Sequence, residues 1–346
     1  MSPQPQPDPP ARPRRRFSWA YWALALFVVA AGAAAVWVGW LLGPTGASAI
    51  VQIPQGAGAQ VVGRILQDHG LVRSGRAFAL YARWKKRAAQ LQSGYYKLEG
   101  RGVPELLDDL TGGQAPVMVR LVFPEGWRAV DYAERLEAAG FDGEGFLAIV
   151  RDPPAEWTPA YVEGPTLEGY LFPDTYDLPK GADPDVVVTV MLRRFDREAT
   201  PERLERARRL NLSVHGWVTL ASIVQAEAGG AEEMPYIAGV FLNRLEAGMP
   251  LQSDPTVAYA LGKRLPELDR YAGDFDVDSP YNTYRHPGLP PGPINNPGLE
   301  ALLSVLNAKR TGENGLPYFY FFHAGGRLYL SATFNEHLKK LNRYYY

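Results

Sequence analysis

Residues 218–259 read VTLASIVQAEAGGAEEMPYIAGVFLNRLEAGMPLQSDPTVAY. Two apolar runs of helical period flank a short acidic break that contains glycine, and a tight polar segment, 251–256, follows them. In the first run Leu220, Ile223 and Val224 share one helical face, and the next position on that face is Glu227. The spacing therefore sets a carboxyl group at the end of a hydrophobic stripe, where Gly229 and Gly230 are expected to stop the helix. Burial beside apolar groups disfavours the charged form of an acid and raises its pKa. A glutamic acid so placed can donate a proton near neutral pH. A helix-end glutamate pointing at water fits the same pattern, and the rest of the chain must decide between the two.

Composition removes several rival chemistries. The 346 residues contain no cysteine, so disulfides, thiol nucleophiles and Cys-ligated zinc are excluded. The five histidines (His69, His215, His286, His323, His337) show no HExxH or similar spacing, so neither a metal nor another cofactor is expected. No nucleotide-binding glycine pattern occurs. Lys plus Arg (36) nearly balance Asp plus Glu (37), which argues against a nucleic-acid partner. With 46% apolar residues the chain can bury a sizeable core, and its 30 prolines and 35 glycines imply many loops.

Residues 1–16 form a Pro/Gln-rich tail ending in an arginine cluster, expected to be disordered and cytoplasmic. Residues 17–42 (FSWAYWALALFVVAAGAAAVWVGWLL) carry no charge. About 24 helical residues span roughly 36 Å, enough to cross a hydrocarbon layer of about 30 Å. Trp19, Tyr21 and Trp22 lie near one end and Trp37 and Trp40 near the other, as interfacial belts would. Basic residues precede the stretch only, which predicts a single-pass inner-membrane anchor with the bulk of the chain outside the cytoplasm. The apolar run exceeds the roughly 7–15 residues of a signal-peptide core, although Ala47-Ser48-Ala49 keeps cleavage open as an alternative.

The remainder reads as an α+β protein in two parts. Residues 49–114 predict a small strand–helix–helix–strand–helix module: strand 51–53, helices 59–69 and 76–91, strand 94–98 and helix 103–110. Residues 115–346 predict a larger mixed α/β domain. It begins with strand 117–123 and helix 129–139, and runs through a loop-rich stretch at 141–165. One or two amphipathic helices at 183–210 follow, with a solvated Arg/Glu face. Helix 299–308, a hairpin at 317–330 and helix 334–343 complete it. Between them, 280–298 is a run of Gly, Pro and Asn turns.

Five motifs then stand in order: LEGYLFPDTY (167–176), LASIVQAEAG (220–229), IAGVFLNRLEAGMPLQSDPTVAYAL (237–261), SPYNTYRHPGLPPGPINNPG (279–298) and PYFYFFHAGG (317–326). Together with the anchor and the small module, they resemble the endolytic murein transglycosylase family, membrane-anchored lytic transglycosylases with a LysM-like module. The resemblance covers nearly the whole chain. It implies that 49–114 is the LysM-like module, that 115–346 is the catalytic domain and that Glu227 is the catalytic acid. Many relatives carry another acidic residue two positions earlier; here that position is Gln225, so no auxiliary carboxylate is available there.

The implied reaction suits a single acid. A protonated Glu227 gives its proton to the oxygen between N-acetylmuramic acid and N-acetylglucosamine. Its carboxylate then takes the proton of the muramoyl 6-hydroxyl as a 1,6-anhydro ring closes. Ordinary glycosidases need two carboxyl groups, about 5–5.5 or about 6.5–9.5 Å apart. Asp254 and Glu168 remain candidates for a second such group, which leaves a hydrolytic muramidase open. A non-catalytic peptidoglycan-binding scaffold is the alternative of another class. Glu168, Asn243, Gln252, Ser253, Asp254, Asn282 and Tyr284 are the expected substrate-binding residues, whereas Arg244 and Glu246 read as a structural ion pair or an exposed face. The implied partners are peptidoglycan strands, the membrane and, among proteins, peptidoglycan synthases.

Overall fold

The computed structural model describes residues 19–54, 56–112, 118–155 and 158–345. The expected tail, 1–16, and the stretch where the two expected domains meet lie outside the described residues. The chain is α+β and divides into two compact units, 1–115 and 116–346.

In the first unit α1 (Trp19–Leu42) is uncharged throughout and long and apolar enough to cross a membrane. Its last turn is tied to the rest of the unit by Arg73. That guanidinium donates to the carbonyls of Gly43 (3.2 Å) and Pro44 (2.8 Å) and lies 4.9 Å from the centre of the Trp40 ring. Strands β1 (Ser48–Ile53) and β2 (Gly94–Glu99) pair antiparallel, Ser48 opposite Glu99 and Ile53 opposite Gly94. Helices α2 (Ala59–Asp68), α3 (Gly75–Trp84) and α4 (Val103–Thr111) complete the unit. Val62, Leu66, Phe78, Leu106 and Leu110, which recur at helical spacing, form its fully buried core. Two glycines set the α2–α3 approach: a Cβ on Gly63 would stand 2.2 Å from the carbonyl oxygen of Gly75. The helix expected over 76–91 stops at Trp84. Lys86 takes a left-handed φ of 58°, and a 3-10 turn, Ala88–Gln90, follows.

The second unit begins with β3 (Met118–Val122), α5 (Ala129–Ala138) and α6 (Gly143–Arg151). The last of these, α6, falls where loop was expected. Its glycines hide the pattern but have packing reasons: a Cβ on Gly143 would lie 2.5 Å from the carbonyl oxygen of Ala133. Asp142 starts α6 by accepting the Gly145 N–H at 2.8 Å. Strand β4 (Thr175–Pro179) pairs antiparallel with β3, which puts Arg120 opposite Asp177 in a forked ion pair at 2.8 Å. Of the one or two amphipathic helices expected over 183–210, there are two, α7 (Pro184–Glu198) and α8 (Pro201–Arg209), Pro201 opening the second. Their Arg/Glu residues are not merely solvated, since Arg194 bonds both Asp174 and Glu198 at 2.6 Å.

Helix α9 (Val214–Glu227) is the hub of this unit. Every residue from Trp217 to Val224 is buried, the pattern of a helix enclosed on all sides. Helices α10 (Met234–Glu246), α11 (Asp254–Ala260) and α12 (Leu299–Leu306) pack on it. The Trp217 indole N–H also reaches the carbonyl of Leu302 at 2.8 Å. A hairpin, β5 (Tyr320–Ala324) with β6 (Arg327–Ser331), and α13 (Phe334–Tyr345) close the unit.

The Asn/Pro turns of 279–298 are laced to this frame by buried side chains. Asn295 Nδ2 donates to the Ser222 carbonyl (2.8 Å), and the Gly298 N–H donates to Gln225 Oε1 (2.9 Å). Asn296 Oδ1 accepts the N–H groups of Gly169 and Leu171, while its Nδ2 donates to Trp127 O and Glu168 Oε1. One asparagine thereby ties its own turn to two separate segments.

Candidate active site

Glu227 is the last residue of α9, at the point where the enclosed helix opens to solvent. The helix ends before the expected glycines: Ala228 is already extended (φ −78°, ψ 136°). The Gly229 N–H then donates to Glu233 Oε2 at 2.9 Å, and the same oxygen lies 2.9 Å from His323 Nε2 on β5. The turn after Glu227 is thus tied to the hairpin.

The 251–256 segment supplies the nearest partner. Ser253, fully buried, donates its hydroxyl to Glu227 Oε1 at 2.6 Å. Gln252, one residue before it, adopts φ 54°, a left-handed conformation that costs a non-glycine residue on the order of 1–3 kcal/mol. The conformation is over-determined by neighbours: Gln252 N–H donates to Thr283 O (3.1 Å) and Ser253 N–H to Thr283 Oγ1 (3.0 Å). Thr283 Oγ1 in turn meets Thr256 Oγ1 at 2.9 Å. Strain concentrated beside an acid is a mark of a site built for geometry.

Arg244 holds the other side. It is buried on α10 and donates to the carbonyls of Phe319 (2.7 Å), Leu251 (2.8 Å) and Pro250 (3.2 Å) and to Gln252 Oε1 (3.3 Å). These groups frame an open cleft of about 480 Å³ in which Glu227, Arg244, Gln252, Asp254 and Tyr284 face the aromatic end of the hairpin, Tyr320 to Phe322. Asp254 accepts the Tyr284 hydroxyl and has Arg270 at 3.8 Å, itself stacked 3.8 Å from the centre of the Phe275 ring. Its charge is therefore partnered. His337, also on the cleft wall, has a buried Nδ1 without a hydrogen-bond partner.

The electrostatics favour a protonated acid. Burial pushes the Glu227 carboxyl up to about 7; the Ser253 hydrogen bond and the Arg244 charge oppose this, and the Asp254 charge adds to it. Because the Ser253 O–H stabilises the ionised form, Ser253→Ala should raise the Glu227 pKa further, by up to about one unit or ~1.4 kcal/mol. Titration of the side-chain carboxyl by carbon NMR checks this; a fall would contradict the assigned donor.

Of the sequence-predicted residues, the structure brings Glu227, Gln252, Ser253, Asp254 and Tyr284 together. Glu168, Asn243 and Asn282 lie elsewhere, in scaffold positions. Glu168 is buried, accepts the Ala129 N–H (2.9 and 3.2 Å) and Asn296 Nδ2 (2.9 Å), and is pushed up to about 8 by burial. Asn243 donates to the carbonyls of Arg310 and Tyr318 at 2.8 Å, and Asn282 to those of Phe275 and Val277. Arg244 and the aromatic hairpin were missed. Arg244 does not pair with Glu246, which is bound to Arg310. Its signal was available, because it continues the apolar face of Ile237, Val240 and Phe241, where an exposed cation does not belong. Among the described residues no group of three or more His, Asp or Glu could hold a metal ion.

Known proteins are similar to this chain over most of its length. Residues 51–343 match the YceG-like family. A protein of Streptococcus pneumoniae named endolytic murein transglycosylase is 33% identical over 83% of this chain and 56% of its own length. One of the same name from Bacillus subtilis is 30% identical over 85% of this chain and 84% of its own. This chain thus spans little more than half the length of the pneumococcal relative it matches. A crystal structure of a yceG-like protein from Listeria monocytogenes superimposes with a TM-score of 0.56 at 32% identity, covering 84% of this chain and 98% of that one. With most of its length matched, the chain belongs to the YceG-like family.

Proposed function

We propose that this protein is an endolytic lytic transglycosylase of peptidoglycan, with Glu227 as its single acid and base. The observation that carries the reading is the Glu227 carboxyl itself. It stands in an open cleft, is held near 7 by burial, and is oriented by Ser253 through one oxygen so that the other is free for a ligand. The shared name of the curated relatives supports the same chemistry.

In the mechanism, protonated Glu227 donates to the oxygen that leaves with N-acetylglucosamine as the muramoyl C1–O bond breaks. The muramoyl 6-hydroxyl oxygen then bonds to C1, and its proton passes to the Glu227 carboxylate, restoring the acid. No water enters, so a second carboxyl group is not required. Asp254, engaged by Tyr284 and Arg270, contributes a negative charge that raises the Glu227 pKa. Arg244 limits that rise, so both protonation states remain accessible near neutral pH.

In this reading α1 anchors the protein in the cytoplasmic membrane with its N-terminus inside. The 49–114 module contacts glycan as a LysM-like unit, the second unit cleaves, and peptidoglycan synthases are its protein partners. The uncharged, tryptophan-flanked α1 and the basic residues before it support that orientation. Incubating the full chain in vesicles with purified glycan strands tests the activity. Internal cutting should shorten average strand length early, before disaccharides accumulate; strands of unchanged length would instead favour a binding scaffold.

A further inference from the structure

The cleft at Glu227 is one of several that join through shared walls in the second unit. It shares Ala226, Pro255 and Leu265 with a neighbouring cleft, also of about 480 Å³, whose walls include Trp127, Val130 and Asn295. That second cleft in turn shares Trp127, Asp131, Glu134 and Arg264 with a third of about 490 Å³. The Glu227 cleft and the third share no wall residue, so the second lies between them. Each falls within the roughly 300–1,000 Å³ typical of small-ligand sites. A row of such clefts suits a chain of repeating units better than a single small molecule.

The second cleft also has an unfilled chemical demand. Asn295 is 3% exposed, and its Nδ2 is bound to the Ser222 carbonyl, yet its Oδ1 has no hydrogen-bond partner. A buried acceptor left unpaired costs about 1–3 kcal/mol, which a ligand N–H or O–H can recover. Beside it stands Trp127, a half-buried indole of the kind that packs on sugar faces, and the rim carries Arg128, Asp131 and Arg264. Apolar, acceptor and charged groups thus converge on one pocket that the Glu227 chemistry does not use.

We propose that the Trp127–Asn295 cleft is a second binding site for amino-sugar units of the same glycan whose scissile bond lies at Glu227. Asn295 Oδ1 takes an acetamido N–H or a hydroxyl, Trp127 takes a sugar face, and the strand continues toward Arg264. The inference rests on the glycan-cleaving reading above. It explains how a strand is gripped away from its ends, because binding energy accrues to one side of the acid.

Binding, measured separately from cleavage, tests it. In the Glu227→Gln background, purified peptide-free glycan oligomers of graded length are titrated by calorimetry against the full chain in detergent. Val130 is 39% exposed and lines the second cleft from α5, so Val130→Trp fills that cleft without entering the core. Glu134→Trp, one helical turn on and exposed, is the independent second plug should Val130→Trp fail to fold. The proposal predicts that affinity rises with length in the parent. Either plug should weaken long oligomers about tenfold, ~1.4 kcal/mol, and leave the shortest binders unchanged. Long oligomers bound equally well with and without the plug would overturn it. If no oligomer binds the parent at any length, the glycan reading itself falls, a result distinct from failure of the second site.

Discussion

Glu227→Gln should lower glycan cleavage by roughly a thousandfold or more, within the about 10²–10⁴ attributed to general acid–base catalysis plus the loss of its reuse as a base. The amide keeps the shape and can still accept the Ser253 hydroxyl through its oxygen, so the fold has no reason to fail. It cannot release a proton to the leaving oxygen. Stability should hold or rise. An acid whose folded pKa is raised to about 7 supports folding fully only below its unfolded value, near 4.5, and that support fades as pH rises through about 7. The amide carries no such penalty, so the variant should melt no lower than the parent at pH 8. Cleavage rates and melting curves read together check both statements. Normal turnover by the variant would remove Glu227 from the chemistry.

Arg244→Met is expected to have the largest effect on stability. It strands the buried carbonyls of Leu251, Pro250 and Phe319, each of which now accepts from the guanidinium. At about 1–3 kcal/mol for a buried unsatisfied group, partly relieved by relaxation, the total should reach about 3–5 kcal/mol. The same change removes a positive charge that holds the Glu227 pKa down, so the Glu227 titration should move upward. Arg244→Lys separates the two effects. A lysine retains the charge but cannot reach three carbonyls from one fork, so it should cost stability while shifting the titration less. Denaturant unfolding and carboxyl NMR measure the two quantities. A fully stable Arg244→Met variant would show that the 250–252 loop is held by something else.

The sequence was most legible where period and chemistry agreed. The stripe from Leu220 to Glu227 specified both a buried helix and an acid at its exposed end, and the same elements appear in the structure. The polar run around Ser253 was also readable, because short polar side chains at a helix start leave few roles. What escaped was set by tertiary context. Helix α6 was hidden by Gly143 and Gly145, which serve close packing and a cap rather than a loop. Glu168, Asn243 and Asn282 carry the same functional groups as ligand-binding residues, yet each is engaged by the main chain: Glu168 and Asn243 by partners distant in sequence, Asn282 by carbonyls in the turn just before it. Arg244 was misjudged for the opposite reason: its partners are main-chain carbonyls, which no pattern of side-chain charges displays.

The central claim is that Glu227 acts alone and that a substrate hydroxyl takes the place of water. Cleavage of glycan strands in water enriched in oxygen-18, followed by mass spectrometry of the new ends, tests it most directly. Muramoyl ends of the anhydro mass with no heavy oxygen are expected. Reducing ends carrying one added water, labelled with oxygen-18, would contradict it in favour of a hydrolytic muramidase.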